Sequence, residues 1–482
     1  MSSGFTPDEQ STRPEGKDEL WLICPICKKP NPSGTLHCKF CWGPSLYAVK
    51  PVSSVELEEI LKHQQTRQKR SNFARTLIVT IAAPALLLGA VFFYLYNFTD
   101  VVFSPPTQMN SSSLPGEWSM FQHDLGRTGV TEISPVSPQG KLKWTFKTVG
   151  MIHSSPVVVD GTVYFGSQDT KVYAVDAATG QKKWEFQTGS WVESSPAVVD
   201  GVVYIGSNDG HLYALNAATG EKLWDFFTVY VIKSSPAVAD GIVFFGADDH
   251  AVYALDARTG AQIWKYTTDN NMISSPVVAD GIVYIGSQGK FCYGINAQNG
   301  RFRLRLPAWE VTSSPAVKDG VVYFTSRAYL FAMEGIARSW PGEMELRPWW
   351  IQLYAFNLAP PPPPRSGFLW ATRIADISSN TTPVVVDNTL YTTGDNNVYR
   401  IDTNTHQSQW KFTAGDKINS SPCLANNVLY IGCDDGKLYT INAVTGQKLW
   451  DFQTGARISS SPTYANGVIY VTSEDGTLYA IE

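Results

Sequence analysis

The chain has 482 residues, a net charge of −5, 17% charged and 43% hydrophobic residues. That balance excludes a basic nucleic-acid binder and a chain too polar to bury a core. Four of the seven cysteines fall within the first 41 residues, which excludes a disulfide framework spread along the whole length.

Residues 1–20 are polar and rich in Pro, Gly and charge, and are expected to be disordered. Cys24-Pro-Ile-Cys27 follows, and ten residues later Cys38-Lys-Phe-Cys41. Two such hairpins can set four thiolates at the corners of a tetrahedron, about 2.3 Å from a Zn²⁺ ion. Residues 21–47 resemble the small zinc-ribbon modules found at the ends of many prokaryotic membrane and regulatory proteins. The pattern departs from them at Lys28, where glycine is usual, and at Trp42, which precedes Gly43. Four protein ligands leave no open position, so the expected Zn²⁺ is structural. Redox dithiols and unliganded cysteines are the competing readings. No histidine follows either pair, which is against covalent haem attachment, and His37 reads as solvent-facing.

Ser53-Ser54-Val55-Glu56 has the form of a capping box, and residues 53–76 read as a helix with Lys62, Arg67, Lys69, Arg70 and Arg75 in its second half. Residues 77–98 carry no charge over 22 positions. As one α-helix they would rise about 33 Å, enough for a hydrocarbon core of about 30 Å. The expectation is a single transmembrane helix. The basic flank precedes it, so the N-terminus is expected in the cytoplasm and the remainder outside. Residues 99–116 read as a Ser/Pro linker.

From there the chain repeats. A Ser-Pro or Thr-Pro recurs with proline at 156, 196, 236, 276, 315, 383, 422 and 462, in steps of 40, 40, 40, 39, 68, 39 and 40. Twelve residues before most of these prolines stands a tryptophan: Trp144, Trp184, Trp224, Trp264, Trp410 and Trp450. Trp370 stands thirteen before, and Leu304 takes the place in the remaining copy. Each unit reads as four short strands, with Asp200-Gly201 and Asn208-Asp209-Gly210 as the turns of one of them. The chain ends on a third strand and the array begins on a fourth, at 141–147. The expected fold is an all-β, eight-bladed β-propeller at 117–482, whose N-terminal strand closes the last blade.

Trp118-Ser-Met-Phe121-Gln-His123-Asp124-Leu-Gly-Arg127-Thr128-Gly129 opens this region, and motifs such as Leu215-Asn216-Ala217-Ala218-Thr219-Gly220 with Trp224 recur in it. These features resemble the pyrroloquinoline-quinone-like propeller superfamily over 118–482. That superfamily includes quinoprotein dehydrogenases and non-enzymatic propellers, among them an outer-membrane-assembly lipoprotein that binds protein partners. The dehydrogenases add a vicinal Cys-Cys pair, a Ca²⁺ held by Glu, Asn and Asp, and an Asp base. This sequence has no Cys-Cys dipeptide, and the calcium ligands and base find no counterpart. The resemblance therefore implies the fold and a binding role; pyrroloquinoline quinone is not expected as a cofactor, and a quinoprotein oxidoreductase is the alternative.

Aligned on the prolines, the fourth residue before each is mostly aliphatic, whereas the third, fifth and sixth vary. His153, Trp191, Glu193, Tyr230, Lys233, Trp309, Asp416, Lys417, Asn419 and Arg457 occupy those variable places. They are expected to ring one face of the channel as a candidate binding face for a protein or peptide. A solvated charged rim and a set of unconstrained loops are the plainer readings. The long step adds about 28 residues within 328–369, including Trp340, Trp349, Trp350 and Pro360 to Pro364. Tyr354-Ala355-Phe356-Asn357 is expected as the displaced third strand of that blade. The aromatic insertion reads either as a partner or membrane contact or as a cover over its own blade.

Overall fold

The computed structural model describes residues 20–41, 45–98, 109–110, 117–131, 137–308, 310–340, 342–374 and 381–482. The expected disordered tail at 1–19, nearly all of the expected linker at 99–116, and Trp42, Gly43 and Trp309 lie outside them. The chain divides into two compact units, Met1–Phe103 and Ser104–Glu482.

In the first unit, Trp21–Ile23 and Pro30–Pro32 pair as a small antiparallel ribbon, and Trp21 bridges Val52. Helix α1, Ser54–Leu77, starts on the expected capping box: the Ser53 N–H donates to Glu56 Oε2 at 3.0 Å, and the Glu56 N–H donates back to Ser53 Oγ at 3.3 Å. The expectation of one spanning α-helix at 77–98 needs correction. The segment is helical, but a π-helical turn at Ile78–Ala82 separates α1 from α2, Ala83–Phe98. Pro84 explains the break, because it has no N–H for the Thr80 carbonyl and its ring presses on that carbonyl. α2 alone has 16 residues, a rise of about 24 Å. Among the described residues no helix is long and apolar enough to cross a membrane.

The second unit contains eight four-stranded antiparallel sheets among the described residues. Blade 2 shows the pattern: Ala197–Val199, Val202–Gly206, His211–Asn216 and Lys222–Phe227, in that order from the inside outward. The second and third strands are buried on both faces because each blade is covered by its two neighbours. The outermost strand alternates between exposed and half-buried positions. Leu142–Lys147 pairs with Thr477–Ile481 and completes blade 8, so the ring closes as the repeat phase requires.

The repeat residues hold blade to blade. The indole N–H groups of Trp144, Trp184, Trp224, Trp264 and Trp410 donate to the carbonyls of Ala177, Ala217, Ala257, Ala297 and Ala443, each 33 residues on, at 2.8–3.1 Å. The two serines before each proline divide the work. In blade 2, Ser194 Oγ accepts the Gly206 N–H at 3.2 Å, which ties the first strand to the end of the second. The Ser195 N–H donates to Ser235 Oγ of the next blade at 3.0 Å, and the same step runs from Ser155 to Ser195 and from Ser461 back to Ser155. A belt of serines thus circles the channel.

Residues 117–131 lie across the inner strands. The Trp118 N–H donates to the Val158 carbonyl, Val198 donates to Ser119, Val278 to Leu125, Val317 to Gly126, Val385 to Thr128 and Leu424 to Gly129. Arg127 is fully buried, and its guanidinium donates to the carbonyls of Pro276 at 2.7 Å, Phe121 at 2.9 Å and Ser235 at 3.0 Å. Burial without a close carboxylate partner pulls its pKa down to about 9, with the Asp124 charge opposing the fall. This single segment bonds to six of the eight innermost strands and plugs the channel.

Blade 5 departs from expectation. Its third strand is Tyr329–Glu334, in the ordinary place beside Val321–Ser326, and Phe368–Arg373 is its fourth. The insertion lies between these two strands and carries helix α3, Glu343–Ala355. Tyr354 and Ala355 end that helix, so the reading of 354–357 as a displaced strand is wrong. The run beginning at Glu343 binds its own backbone at helical spacing, whereas Tyr329–Glu334 already fills the ladder position.

Candidate functional site

The first candidate centre is the thiol cluster. Cys24 Sγ and Cys41 Sγ stand 3.6 Å apart, Cys27 Sγ and Cys38 Sγ 3.4 Å apart, and all four sulfurs lie within 4.8 Å of one another. A tetrahedral Zn²⁺ with bonds of about 2.3 Å needs sulfur–sulfur edges of about 3.8 Å, so the four positions fit such an ion. The first hairpin turns on Lys28, which holds a φ of 61° where the related modules use glycine. Its N–H donates to the Cys24 carbonyl at 2.9 Å, and the Cys24 N–H donates to the Lys29 carbonyl at 3.1 Å. Burial works against the Cys38 thiolate. The backbone N–H groups of Phe40 and Cys41 and the Asn31 amide outweigh it and bring that thiol down to about 6. Backbone hydrogen bonding, chiefly from Cys27, also holds the Cys24 thiol below its ordinary value.

Asn31, which the sequence reading passed over, is fully buried; its amide donates to Cys38 Sγ at 3.5 Å and its carbonyl accepts the Lys39 N–H at 3.0 Å. It orients a ligand sulfur from behind. A short polar residue between two CxxC pairs is too common a pattern to have marked it. His37 is exposed, as expected.

The second candidate is the loop face through which the chain enters each innermost strand. Two polar networks form there. On blades 1 to 3, Glu193 accepts from Gln168 Nε2 at 3.1 Å and Asn208 Nδ2 at 3.1 Å, and pairs with Lys233 at 3.1 Å. Burial opposes ionisation of Glu193, but Asn208, Lys233 and Gln168 outweigh it and hold its pKa below the usual range. Asp248 faces the same lysine, yet burial raises its pKa. Across the closure between blades 8 and 1, His153 Nδ1 lies 3.0 Å from Ser459 Oγ and 3.8 Å from Glu474, and Arg457 pairs with Glu474 at 3.1 Å. On blade 7, Asn419 donates to Asp434 at 2.9 Å, and burial lifts the Asp434 pKa above its ordinary value. Trp191 and Tyr230 stand about half exposed beside these networks, and Asp416 is exposed with its carboxylate turned back to the Lys417 N–H at 2.7 Å.

Sequence reasoning missed half of this face. Gln168, Asn208, Asp248, Asp434 and Glu474 each stand twelve residues after a repeat proline. The backbone N–H groups of Asn208, Asp434 and Glu474 donate to the carbonyls of Trp191, Lys417 and Arg457, which pins the two variable sets side by side. The signal was present in the same alignment that exposed the first set. Chemically, Glu193 and Glu474 are tied to cations, and Glu193 and Asp434 to amides. The face therefore offers preorganised donors and acceptors for polar recognition.

The three cysteines of the propeller are core residues. Cys423 stands opposite Tyr430, and the Cys433 thiol donates to the Asp416 carbonyl at 3.2 Å. Burial pushes the Cys433 thiol up to about 12, and those of Cys292 and Cys423 higher. Of the insertion tryptophans, Trp340 is half-buried at its base, Trp350 donates from Nε1 to the Pro360 carbonyl at 2.8 Å, and Trp349 is 69% exposed.

Known structures share this ring. BamB from Moraxella catarrhalis matches with a TM-score of 0.56 at 16% identity, over 71% of this chain and 97% of that one. The computationally designed Ika8 protein matches at 0.57 and 17%, over 73% and 99%. Quinohemoprotein alcohol dehydrogenase from Comamonas testosteroni matches at 0.60 and 15%, over 76% and 80%. At these identities the likeness shows the fold alone. No curated protein matches the chain by sequence. The family model described as outer membrane protein assembly factor BamB matches residues 129–334 and 394–482, more than half of the chain, and the chain belongs to that family.

Proposed function

We propose that this protein is a membrane-anchored recognition scaffold whose propeller binds a protein or peptide at its loop face. The observation that carries this reading is the set of side chains at the third position before and the twelfth after the repeat prolines of blades 1 to 3, 7 and 8. It is built from paired charges and amides held on a rigid frame. That arrangement suits a polar docking surface, and the family's described role in assembling outer membrane proteins is of the same kind.

The anchor in this reading is the charge-free helical run 77–98, π-turn included. Ile81, Leu86, Leu87, Leu88, Val91, Phe92, Phe93 and Tyr94 are all exposed along it, a surface that only lipid or another apolar partner would cover. The basic residues before it support an orientation with the thiol cluster in the cytoplasm and the propeller outside. The cluster holds structural Zn²⁺ through Cys24, Cys27, Cys38 and Cys41, and the reducing cytosol keeps those thiols available.

The test is site-specific photo-crosslinking from positions 191 and 230 of the full chain in its native membranes. A discrete protein adduct that disappears in Lys233→Glu/Arg457→Glu supports the reading. No adduct from either position, or one indifferent to the reversals, refutes it. In parallel, saturable binding of about one equivalent of pyrroloquinoline quinone with Ca²⁺ would replace it with a quinoprotein oxidoreductase.

A further inference from the structure

Residues 348–364 of the blade 5 insertion contain no charged side chain over 17 positions. The insertion is firmly rooted. The Ser339 N–H donates to the Arg303 carbonyl at 3.1 Å, Arg305 pairs with Glu345 at 3.0 Å, and the buried Glu343 carboxylate accepts the Ser366 N–H at 2.8 Å. Beyond this first turn α3 projects. Trp349, Ile351, Leu353, Tyr354, Phe356 and Leu358 are 45–76% exposed, and they come from successive positions rather than from one stripe. The proline run folds back along the helix, held by Trp350 on the Pro360 carbonyl and Arg347 on the Pro363 carbonyl. The result is a stiff apolar tip with Arg347 and Arg365 at its two ends.

We infer that this tip docks into the interfacial layer of a lipid membrane. A protein partner would be expected to meet an apolar stripe or a groove with charged margins. Here the apolar side chains point in several directions at once, charge is confined to the root, and tryptophan, tyrosine and phenylalanine supply the bulk. Those are the properties of an element that enters the headgroup boundary from the side. The inference rests on the anchored reading for its membrane. Ten residues, 99–108, separate α2 from Met109 and Asn110, which already pack and bond on the propeller beside Asp240, a reach on the order of 35 Å when extended. The tether therefore keeps the propeller within range of the surface in which it ends.

The ring closes on its own N-terminal strand and forms a compact unit by itself, so residues 117–482 can be tested without the anchor. The probe is flotation on neutral phosphatidylcholine vesicles. The isolated propeller should float, independently of salt, and Trp349→Ser/Phe356→Ser/Leu358→Ser should weaken the partition by at least about tenfold with its thermal midpoint unchanged. Leu353→Cys carrying an environment-sensitive dye gives a second readout. The three native cysteines of this unit are fully buried, so the label goes to the new site. In the isolated propeller on the same vesicles the dye should blue-shift. A propeller that stays in the soluble fraction, with an unshifted dye, overturns lipid docking and marks the tip as a protein-binding face. Carbonate extraction of the full chain with and without residues 77–98 tests the anchor separately: a resistant full chain whose propeller does not float leaves the anchor standing and the tip proposal refuted.

Discussion

Gly220 offers a sharp test of how the blades are locked. It sits at a φ of 75°, and a Cβ built there would come within 2.7 Å of the Trp184 ring. Gly201 has nearly the same φ, 74°, but a Cβ there would meet nothing within 4 Å. Alanine at either place pays for a left-handed conformation, about 1–2 kcal/mol. At Gly220 the Trp184 indole, 8% exposed and bonded to the Ala217 carbonyl at 2.8 Å, must also slide away. The hydrogen bond is worth about 1 kcal/mol and the disturbed packing about 1–3 kcal/mol. Gly220→Ala should therefore cost about 3–6 kcal/mol and Gly201→Ala about 1–2. Removing the ring first should erase the difference: in a Trp184→Ala background, Gly220→Ala should cost only its backbone strain, a coupling of about 2 kcal/mol or more. Urea unfolding followed by far-ultraviolet circular dichroism measures all four variants without relying on tryptophan fluorescence. Equal costs at the two glycines, or additive costs in the double variant, would show that the indole-on-glycine contact does not lock one blade to the next.

Arg127→Met should lower stability by about 3 kcal/mol or more, because it strips the carbonyls of Pro276, Ser235 and Phe121 of a charged donor inside the channel; a shift of the urea midpoint reports it. The purified full chain should carry one Zn²⁺ by elemental analysis, and Asn31→Ala should weaken metal affinity by about 10- to 100-fold in a chelator competition. Asp248 is the pH-dependent case. Its pKa is raised in the folded state by burial, with Lys233 opposing, so the native protein loses stability as pH rises through that value. Asp248→Asn removes the loss: its thermal midpoint should exceed that of the parent by about a degree at pH 7, and the two should converge below the ordinary aspartate range. A constant difference across pH would refute the assignment.

The ring was legible because its locks use residue types that little else demands. Trp184 and Gly220 recur at fixed spacing since one is the lid on the other, and the Ser-Ser-Pro recurs since each serine has its own partner in the belt. Even the exceptions keep the contact. His406, at the place of the glycine and with a φ of 60°, stacks on Trp370 at 4.5 Å, and Leu304 packs against Gly367 where the tryptophan is missing. Gly140 lies under Trp450, so the segment before the closing strand takes the place of the loop that joins the third and fourth strands in the other blades. The plug was not legible in the same way. Its bonds run from backbone to backbone across six blades, and such bonds impose no side-chain period. The third strand of blade 5 was misplaced for a related reason. Tyr354-Ala355-Phe356-Asn357 copies the side-chain order of a third strand, while Tyr329–Glu334 lacks the terminal Asp or Asn that marks six of the other seven.

The same logic separates frame from function within a repeat. A position that touches its neighbour blade is bound by that contact, so Ile152, Val192 and Ile232 stay aliphatic and fully buried while His153, Glu193 and Lys233, one residue on, differ in charge. Freedom from packing is not freedom from partners, however. Glu193 is held by three side chains from blades 1 to 3, and Glu474 by groups from blades 8 and 1. Loops that merely filled space would have no reason to converge on one carboxylate from several blades. Convergence across blade boundaries joins the loops of blades 1 to 3 into one surface and those of blades 8 and 1 into another. Substitutions at Gln168 and Lys233, which hold the same Glu193 carboxylate, should then act on binding together rather than additively, whereas Lys233 and Arg457 serve different carboxylates and their effects should add.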